Sequence, residues 1–341
     1  MKENDFPKHL SDFLLKYLPA QKNASIHTIA SYRDVFKLLL IFCDSVKLIK
    51  PEKIKATNLS KELILHFLDW LETERKCSIS TRNQRLAVIH SFIHYVQKES
   101  PENLFEFKKI LSIPNKKYPR TLVPYLTGQE MQILLSQPDA STTDGFRNAV
   151  LLSVLYDTGS RVQELINIRI KDVRIASPAV IRLHGKGRKI RQVPLMGKTS
   201  ETLSLYLKMK KYHPGISKGD NYLFVNQRKQ QLSRWGISYI LNKYVEKAKC
   251  DVSFNVDFPV TPHVMRHSKA MHLLQSDINL IYIRDFLGHA DCSTTEVYAR
   301  ANSEMKRKAI EKAYVNLVPE TVPKWEEDGD LMKWLNSLCS L

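Results

Sequence analysis

Runs of apolar residues spaced three and four apart recur along this chain, and that period commits it to helices. Between residues 81 and 99, Leu86, Ile89, Phe92, Ile93 and Val96 fall on one helical face. Between 26 and 45, Ile29, Tyr32, Phe36, Leu39 and Leu40 do the same, with Ser25 placed to cap the first turn. Only 11 of the 341 residues are glycine, too few for a turn-rich β fold. A small sheet is expected where Val180–His184 and Ile190–Pro194 flank a turn at Gly185-Lys186-Gly187. The expected fold class is mainly α with a small antiparallel β-sheet.

The pattern divides the chain into an N-terminal body, a larger second body and a tail. The first body reads as four helices, at about 6–17, 26–45, 61–76 and 81–99. A segment with Pro114, Pro119 and Pro124 and the basic residues Lys116, Lys117 and Arg120 reads as a linker over 111–125. The second body opens at Thr127, whose spacing to Glu130 fits a capping box. Further helices are expected at about 128–136, 145–158, 161–167, 200–211, 233–250, 262–275, 279–287, 293–300 and 303–315. The expected domains are 1–116, 117–316 and a tail at 317–341.

Charge follows the same division. The chain carries 52 Lys and Arg against 35 Asp and Glu, a net +17. Residues 1–118 hold +7, residues 119–316 hold +13 and the tail holds −3. Two basic bodies joined by a basic linker point to a polyanionic partner wrapped by a clamp. The longest purely apolar run, Leu38–Cys43, is far short of a membrane span, so no membrane partner is expected. Met1–Asp5 is mixed in charge without an apolar stretch, and the five cysteines form no CxxC pair, so a cytoplasmic, nucleoid-associated protein without a disulfide framework is expected.

Single residues are weak signals. The first turn of the fourth helix holds Arg82, Asn83 and Arg85, which suit either a solvated helix end or a helix start aimed at phosphate. With Thr28, Arg33, Lys116, Lys117 and Arg188 they form the expected DNA-binding set. His263 and His267 stand i, i+4 on one helix, a zinc-ligand spacing, but the position after His263 is Val264 where a zincin needs Glu. No metal or other cofactor is expected. His263 and Arg266 share a face near a helix start opened by Pro262, a favourable place for an anion.

Order raises the signal. Thr158-Gly159-Ser160-Arg161-Val162-Gln163-Glu164-Leu165 comes first, and Lys186 follows on a β-turn about 25 residues after Arg161. His263-Val264-Met265-Arg266-His267, then Leu287-Gly288-His289, then Tyr298 complete the series. In this order the chain resembles the tyrosine recombinase (phage integrase) family, at all six catalytic positions. The resemblance implies a SAM-like four-helix core-binding domain followed by an α+β catalytic domain. It also implies roles. Arg161 and Arg266 would hold the scissile phosphate, since guanidinium forks match phosphate oxygens and keep their charge. Tyr298 would be the nucleophile that forms a 3′-phosphotyrosyl link. Lys186 would give the leaving 5′-oxygen its proton, and His263 would take the tyrosine proton. His289 would donate a hydrogen bond to the phosphate, Glu164 would orient the cluster, and a direct role for His267 stays open.

The resemblance further implies double-stranded DNA with inverted core sites as substrate, a homo-tetramer on two duplexes, a Holliday-junction intermediate and possible companion recombinases. Integrases of mobile elements fit best, with the Xer chromosome-resolution group as the nearest rival within the class. A type IB topoisomerase and a silent DNA-binding regulator are the rivals. In the tail, acidic Glu326, Glu327, Asp328 and Asp330 precede an apolar stripe at Leu331, Trp334, Leu335 and Leu338. That stripe could pack on its own domain; the resemblance favours docking on a neighbouring subunit.

Overall fold

The first unit, spanning Met1–Thr121, and the second, spanning Leu122–Leu341, each close on their own contacts. They are seen in a computed structural model, which describes residues 5–55, 58–99, 103–119, 123–185, 189–210, 220–288 and 331–338.

In the first unit, helices α1 (Asp5–Asp12), α2 (Ile26–Ser45), α3 (Lys61–Thr73), α4 (Ile79–Glu99) and α5 (Leu104–Leu111) enclose one core. Chain entry into α2 and α3 is fixed by Ser25 and Ser60, whose hydroxyls accept from the Thr28 and Leu63 amides. A π-helical stretch, Phe13–Gln21, prolongs α1 beyond the expected end at Tyr17. Its Phe13, Tyr17 and Leu18 are buried, so packing extends the helix across Pro19 against local propensity. Phe13 sits 5.3 Å from Phe92 and 6.3 Å from Phe36, both edge to face. Each such contact adds about 0.5–1.5 kcal/mol beyond its buried area. Helix α5 was not among the four expected; the burial of Phe107 and Ile110 against the common core stabilises this short segment.

The second unit is built around α7 (Thr143–Asp157), whose Val150, Leu151, Leu152, Val154 and Leu155 are all buried. An apolar surface on several sides requires neighbours on several sides. These are α6 (Gly128–Ser136), α9 (Gly197–Met209) and α11 (Pro262–Gln275). Helices α8 (Val162–Ile166), α10 (Arg234–Ala248) and α12 (Leu280–Leu287) complete it. The capping box at Thr127 and Glu130 forms with both hydrogen bonds. A three-stranded antiparallel sheet runs in the order β1 (Val173–Arg174), β2 (Val180–His184), β3 (Ile190–Pro194). The expected hairpin gains β1, two residues long and too short to leave a periodic signal. Register pairs Ile181 with Val193 and Leu183 with Arg191. Ile181, Leu183 and Val193 are buried, so Arg191 lies on the inner face of the sheet.

The helices expected at 293–300 and 303–315 lie outside the described residues. The tail stripe is helical over α13 (Leu331–Leu338), with Leu335 and Leu338 exposed. No helix among the described residues is long and apolar enough to cross a membrane.

Candidate active site

Two glycines in left-handed conformation aim the chain at one spot. Helix α7 ends at Thr158, and Gly159 (φ 52°) turns the chain out of it. A Cβ on Gly159 would stand 2.9 Å from Leu287 Cδ2, so this turn packs directly on the end of α12. Ser160 and Arg161 follow, and α8 begins. The second glycine, Gly288 (φ 66°), closes α12 as the sequence pattern anticipates.

The last carbonyls of a helix have no partner within it. At the end of α12 three consecutive ones are met by three arginines from three other elements. Phe286 O accepts from Arg191 Nε (2.9 Å), Leu287 O from Arg266 Nη2 (2.7 Å) and Gly288 O from Arg161 Nη2 (3.3 Å). Positive charge also suits the negative end of the helix dipole. Arg266, on α11, is buried, and its Nη1 also donates to Gly159 O. One guanidinium thus bridges the turns that follow α7 and α12. Arg161 is 34% exposed and faces outward from the same rack.

Glu164 organises the cationic side. Its buried carboxylate accepts from the Arg161 amide (2.9 Å) and Arg161 Nη1 (2.9 Å), and from Arg191 Nη1 (3.0 Å) and Nη2 (2.8 Å). Burial alone would raise its pKa, but the hydrogen bonds and charges of Arg191 and Arg161 hold it below the usual carboxylate range. Gly185 lies against the same carboxylate, where a Cβ would stand 3.3 Å from Glu164 Oε1. Gly185, at the end of β2, therefore stands at the site.

Helix α11 supplies the histidines. Thr261 caps it and Pro262 opens it. His263 reaches solvent at its ring, and His267 lies one turn deeper, the two rings stacked 6.4 Å apart. The His263 pKa is lowered, first by lost hydration and then by the charges of Arg266 and Arg161. His267 is pushed down to about 4 by burial, by His263 and by Arg266. Both rings are therefore neutral near pH 7, and a neutral imidazole can accept a proton. Further along the same helix Lys269 pairs with Asp157 Oδ1 (3.1 Å), whose other oxygen accepts from the Met196 amide (3.1 Å). This buried pair ties α11 to α7 and to the chain leaving β3.

Of the expected catalytic residues, Arg161 and Arg266 meet at the end of α12, with the orienting Glu164 on Arg161 and His263 within reach of both arginines' charges. The catalytic Lys186, His289 and Tyr298 and the DNA-binding Arg188 lie outside the described residues. His289 follows Gly288 directly in the chain, and Lys186 follows Gly185. Among the described residues no group of three His, Cys, Asp or Glu side chains could hold a metal ion. Arg191 was missed as a site residue. Its signal was a charged residue on the inward face of a strand, two places before buried Val193.

The expected DNA-binding residues of the first unit divide. Arg82 is buried, 3% exposed, and its Nη1 donates to Pro114 O (3.3 Å) and Asn83 Oδ1 (3.0 Å), with Glu72 3.6 Å from its Nε. Asn83 is likewise committed, accepting from the Lys116 amide and donating to the Lys116 carbonyl. These two fasten the 114–116 segment to α4. Arg85 is half-buried and donates to Cys77 Sγ (2.9 Å). Lys116 is ion-paired with Glu72 at 2.8 Å yet remains partly exposed. Thr28 hydrogen-bonds Ser25 at the start of α2, Arg33 pairs with its neighbour Asp34, and Lys117 is exposed.

Residues 124–305 match the phage integrase family, and residues 12–100 match the phage integrase N-terminal SAM-like domain. An integrase/recombinase of Sinorhizobium fredii named y4rC is 36% identical over 330 residues, covering 96% of this chain and 97% of the relative. Tyrosine recombinase XerC of Pelotomaculum thermopropionicum is 31% identical, covering 90% of this chain and 97% of the relative. Among solved structures, the XerH site-specific recombinase bound to a palindromic difH substrate superposes with a TM-score of 0.66 at 21% identity, covering 86% of this chain and 80% of XerH. The Tn1549 transposon integrase bound to a circular intermediate DNA gives a TM-score of 0.66 at 17% identity, covering 89% of this chain and 99% of the integrase chain.

Proposed function

The chain belongs to the phage integrase family and is a site-specific DNA recombinase of the tyrosine type; from that premise we propose how its residues divide the reaction. The observation that carries the reading is the arginine rack at the end of α12. It gathers Arg161 and Arg266 beside a neutral His263, at the point where the chain enters residues 289–298.

Arg161 and Arg266 grip the non-bridging oxygens of the scissile phosphate. Charge grows on those oxygens as the phosphorane forms, and fixed cations lower its energy without reorganising. Tyr298 attacks phosphorus as His263 takes the phenolic proton. The P–O5′ bond breaks, and Lys186 gives the departing 5′-oxygen a proton. His289 adds a hydrogen bond to the phosphate. The 3′-phosphotyrosyl link keeps the bond energy, so a 5′-hydroxyl from the partner duplex can reverse the step and form a Holliday junction. Four copies on two duplexes with inverted core sites perform this in pairs. The names of y4rC and of the Tn1549 integrase support service to a mobile element, in integration or excision. Thr28, Arg33, Arg85, Lys116, Lys117 and Arg188 contact the duplex, and exposed Leu335 and Leu338 support docking of α13 on a neighbouring subunit.

The test uses the leaving group. Lys186→Ala should slow cleavage by about 10²-fold or more, the scale of general-acid loss. A 5′-bridging phosphorothiolate leaves without a proton and should restore most of that rate. Equal defects on both substrates would remove Lys186 from the acid role. Relaxation of supercoils without junctions would assign the chain the activity of a type IB topoisomerase instead.

A further inference from the structure

We propose that Arg191 is a positioning residue for this reaction: by sharing the Glu164 carboxylate it keeps the charge of Arg161 available to DNA, and by holding the Phe286 carbonyl it fixes the backbone that leads to His289. The proposal rests on the reading of Arg161 as a phosphate ligand.

The electrostatic half follows from counting charges at one carboxylate. Glu164 carries a single negative charge and accepts three hydrogen bonds from two guanidinium groups and a fourth from the Arg161 amide. Arg191 is 13% exposed and Glu164 4%, whereas Arg161 is 34% exposed. The inner arginine offsets the carboxylate, and the outer one presents the net positive charge of the trio. Remove Arg191, and Glu164 has only Arg161 to answer its charge. A neutral pair attracts a phosphate weakly, and the buried carboxylate would hold Arg161 inward.

The geometric half follows from where Arg191 comes from. It lies on β3, the strand that returns from the hairpin tip bearing Lys186, and Leu183 opposes it on β2. Its Nε reaches Phe286 O, next to the carbonyls held by Arg266 and Arg161. Gly288 makes room for it: a Cβ there would stand 3.0 Å from Arg191 Nη1 and 3.1 Å from its Cδ. One side chain thus connects the hairpin, α8 and the end of α12.

A buried ion pair that merely braces the fold would also be harmed by mutation, so the test turns on charge. Full-length Arg191→Met, Arg191→Lys, Glu164→Gln and Arg191→Met/Glu164→Gln are compared on a nicked suicide duplex, with saturating protein, DNA affinity and melting measured alongside. Arg191→Met should lower the rate of covalent adduct formation by about 10²-fold. Affinity should change little, since it is spread over many phosphates. Adding Glu164→Gln removes the unanswered carboxylate and should recover about tenfold or more. Arg191→Lys should fall between, keeping the charge but losing the fork. A wild-type rate for Arg191→Met, or a double variant no faster than Arg191→Met, overturns the proposal. Should Arg191→Met fail to fold, the double variant is compared with Glu164→Gln alone: a loss below about tenfold supports the proposal and a larger one overturns it. Arg161→Ala separates the premises. If it cleaves normally, the reading of Arg161 fails; if it is inactive while Arg191→Met is normal, only the role of Arg191 fails.

Discussion

Gly288→Ala should damage the protein out of proportion to one methyl group. Two costs meet there. The residue sits at φ 66°, and an L side chain in that region costs roughly 1–2 kcal/mol. The new Cβ would also press on Arg191, 3.0 Å from Nη1 and 3.1 Å from Cδ. Arg191 cannot retreat freely, because Glu164 holds it at 2.8 and 3.0 Å and Phe286 O at 2.9 Å. Losing one such charged hydrogen bond costs about 1.5–3 kcal/mol. A total near 3 kcal/mol would lower the melting of the second unit by about 6–12 °C, at the 2–4 °C per kcal/mol usual for units of this size. Calorimetry on the full chain should show the drop in the transition of residues 122–341, with the other transition unmoved. Adduct formation should slow as well. Gly288→Asn separates the two costs, since asparagine tolerates the left-handed region while keeping the Cβ contact. A Gly288→Ala protein that melts within a degree of wild type and cleaves normally would refute the reasoning.

Arg82→Met should lower the stability of the first unit by about 1–3 kcal/mol, by stripping a buried network of its donor, while leaving the salt slope of DNA binding unchanged. Lys117→Ala should do the reverse, reducing that log–log slope by about 1 without altering melting; a smaller slope in Arg82→Met would return that residue to the DNA interface. His267 predicts a pH dependence. Its pKa is about 4 folded against about 6.5 unfolded, so the unfolded chain binds the proton first and stability is lost as pH falls from 6.5 towards 4. Allowing for partial exposure the loss is on the order of 1–2 kcal/mol. His90, His263 and His272 shift the same way, so His267→Gln should remove only its share of the dependence in urea titrations at pH 7 and 5. An unchanged pH dependence in that variant would contradict the burial argument.

Sequence periodicity made α2 and α3 legible because their buried residues recur three and four apart and their caps are local. Ser25, Thr127 and Gly288 each signal an end through a neighbour three or four residues away. The extension of α1 through Phe13–Gln21 and the short α5 were not legible, since distant aromatic and aliphatic packing stabilises them over weak local propensity. The site shows the same division. Arg161, Glu164, His263 and Arg266 stood out by order along the chain. Arg191 did not, because its partners Glu164 and Phe286 lie 27 and 95 residues away and only the folded sheet brings them near. The burial of Arg82 was not legible for the converse reason. A basic residue in the first turn of a helix reads as solvent-facing until the return of Pro114 covers it.

The most direct test of the central claim is to find which atom holds the DNA. A suicide duplex nicked beside the recombination site traps the covalent intermediate, because the short 5′-product diffuses away and cannot rejoin. Digestion and mass spectrometry of the trapped adduct should place the phosphate on Tyr298, and Tyr298→Phe should bind the same duplex and yield no adduct. Phosphate mapped to another residue, such as exposed Tyr282, or an adduct that persists in Tyr298→Phe, would contradict the account.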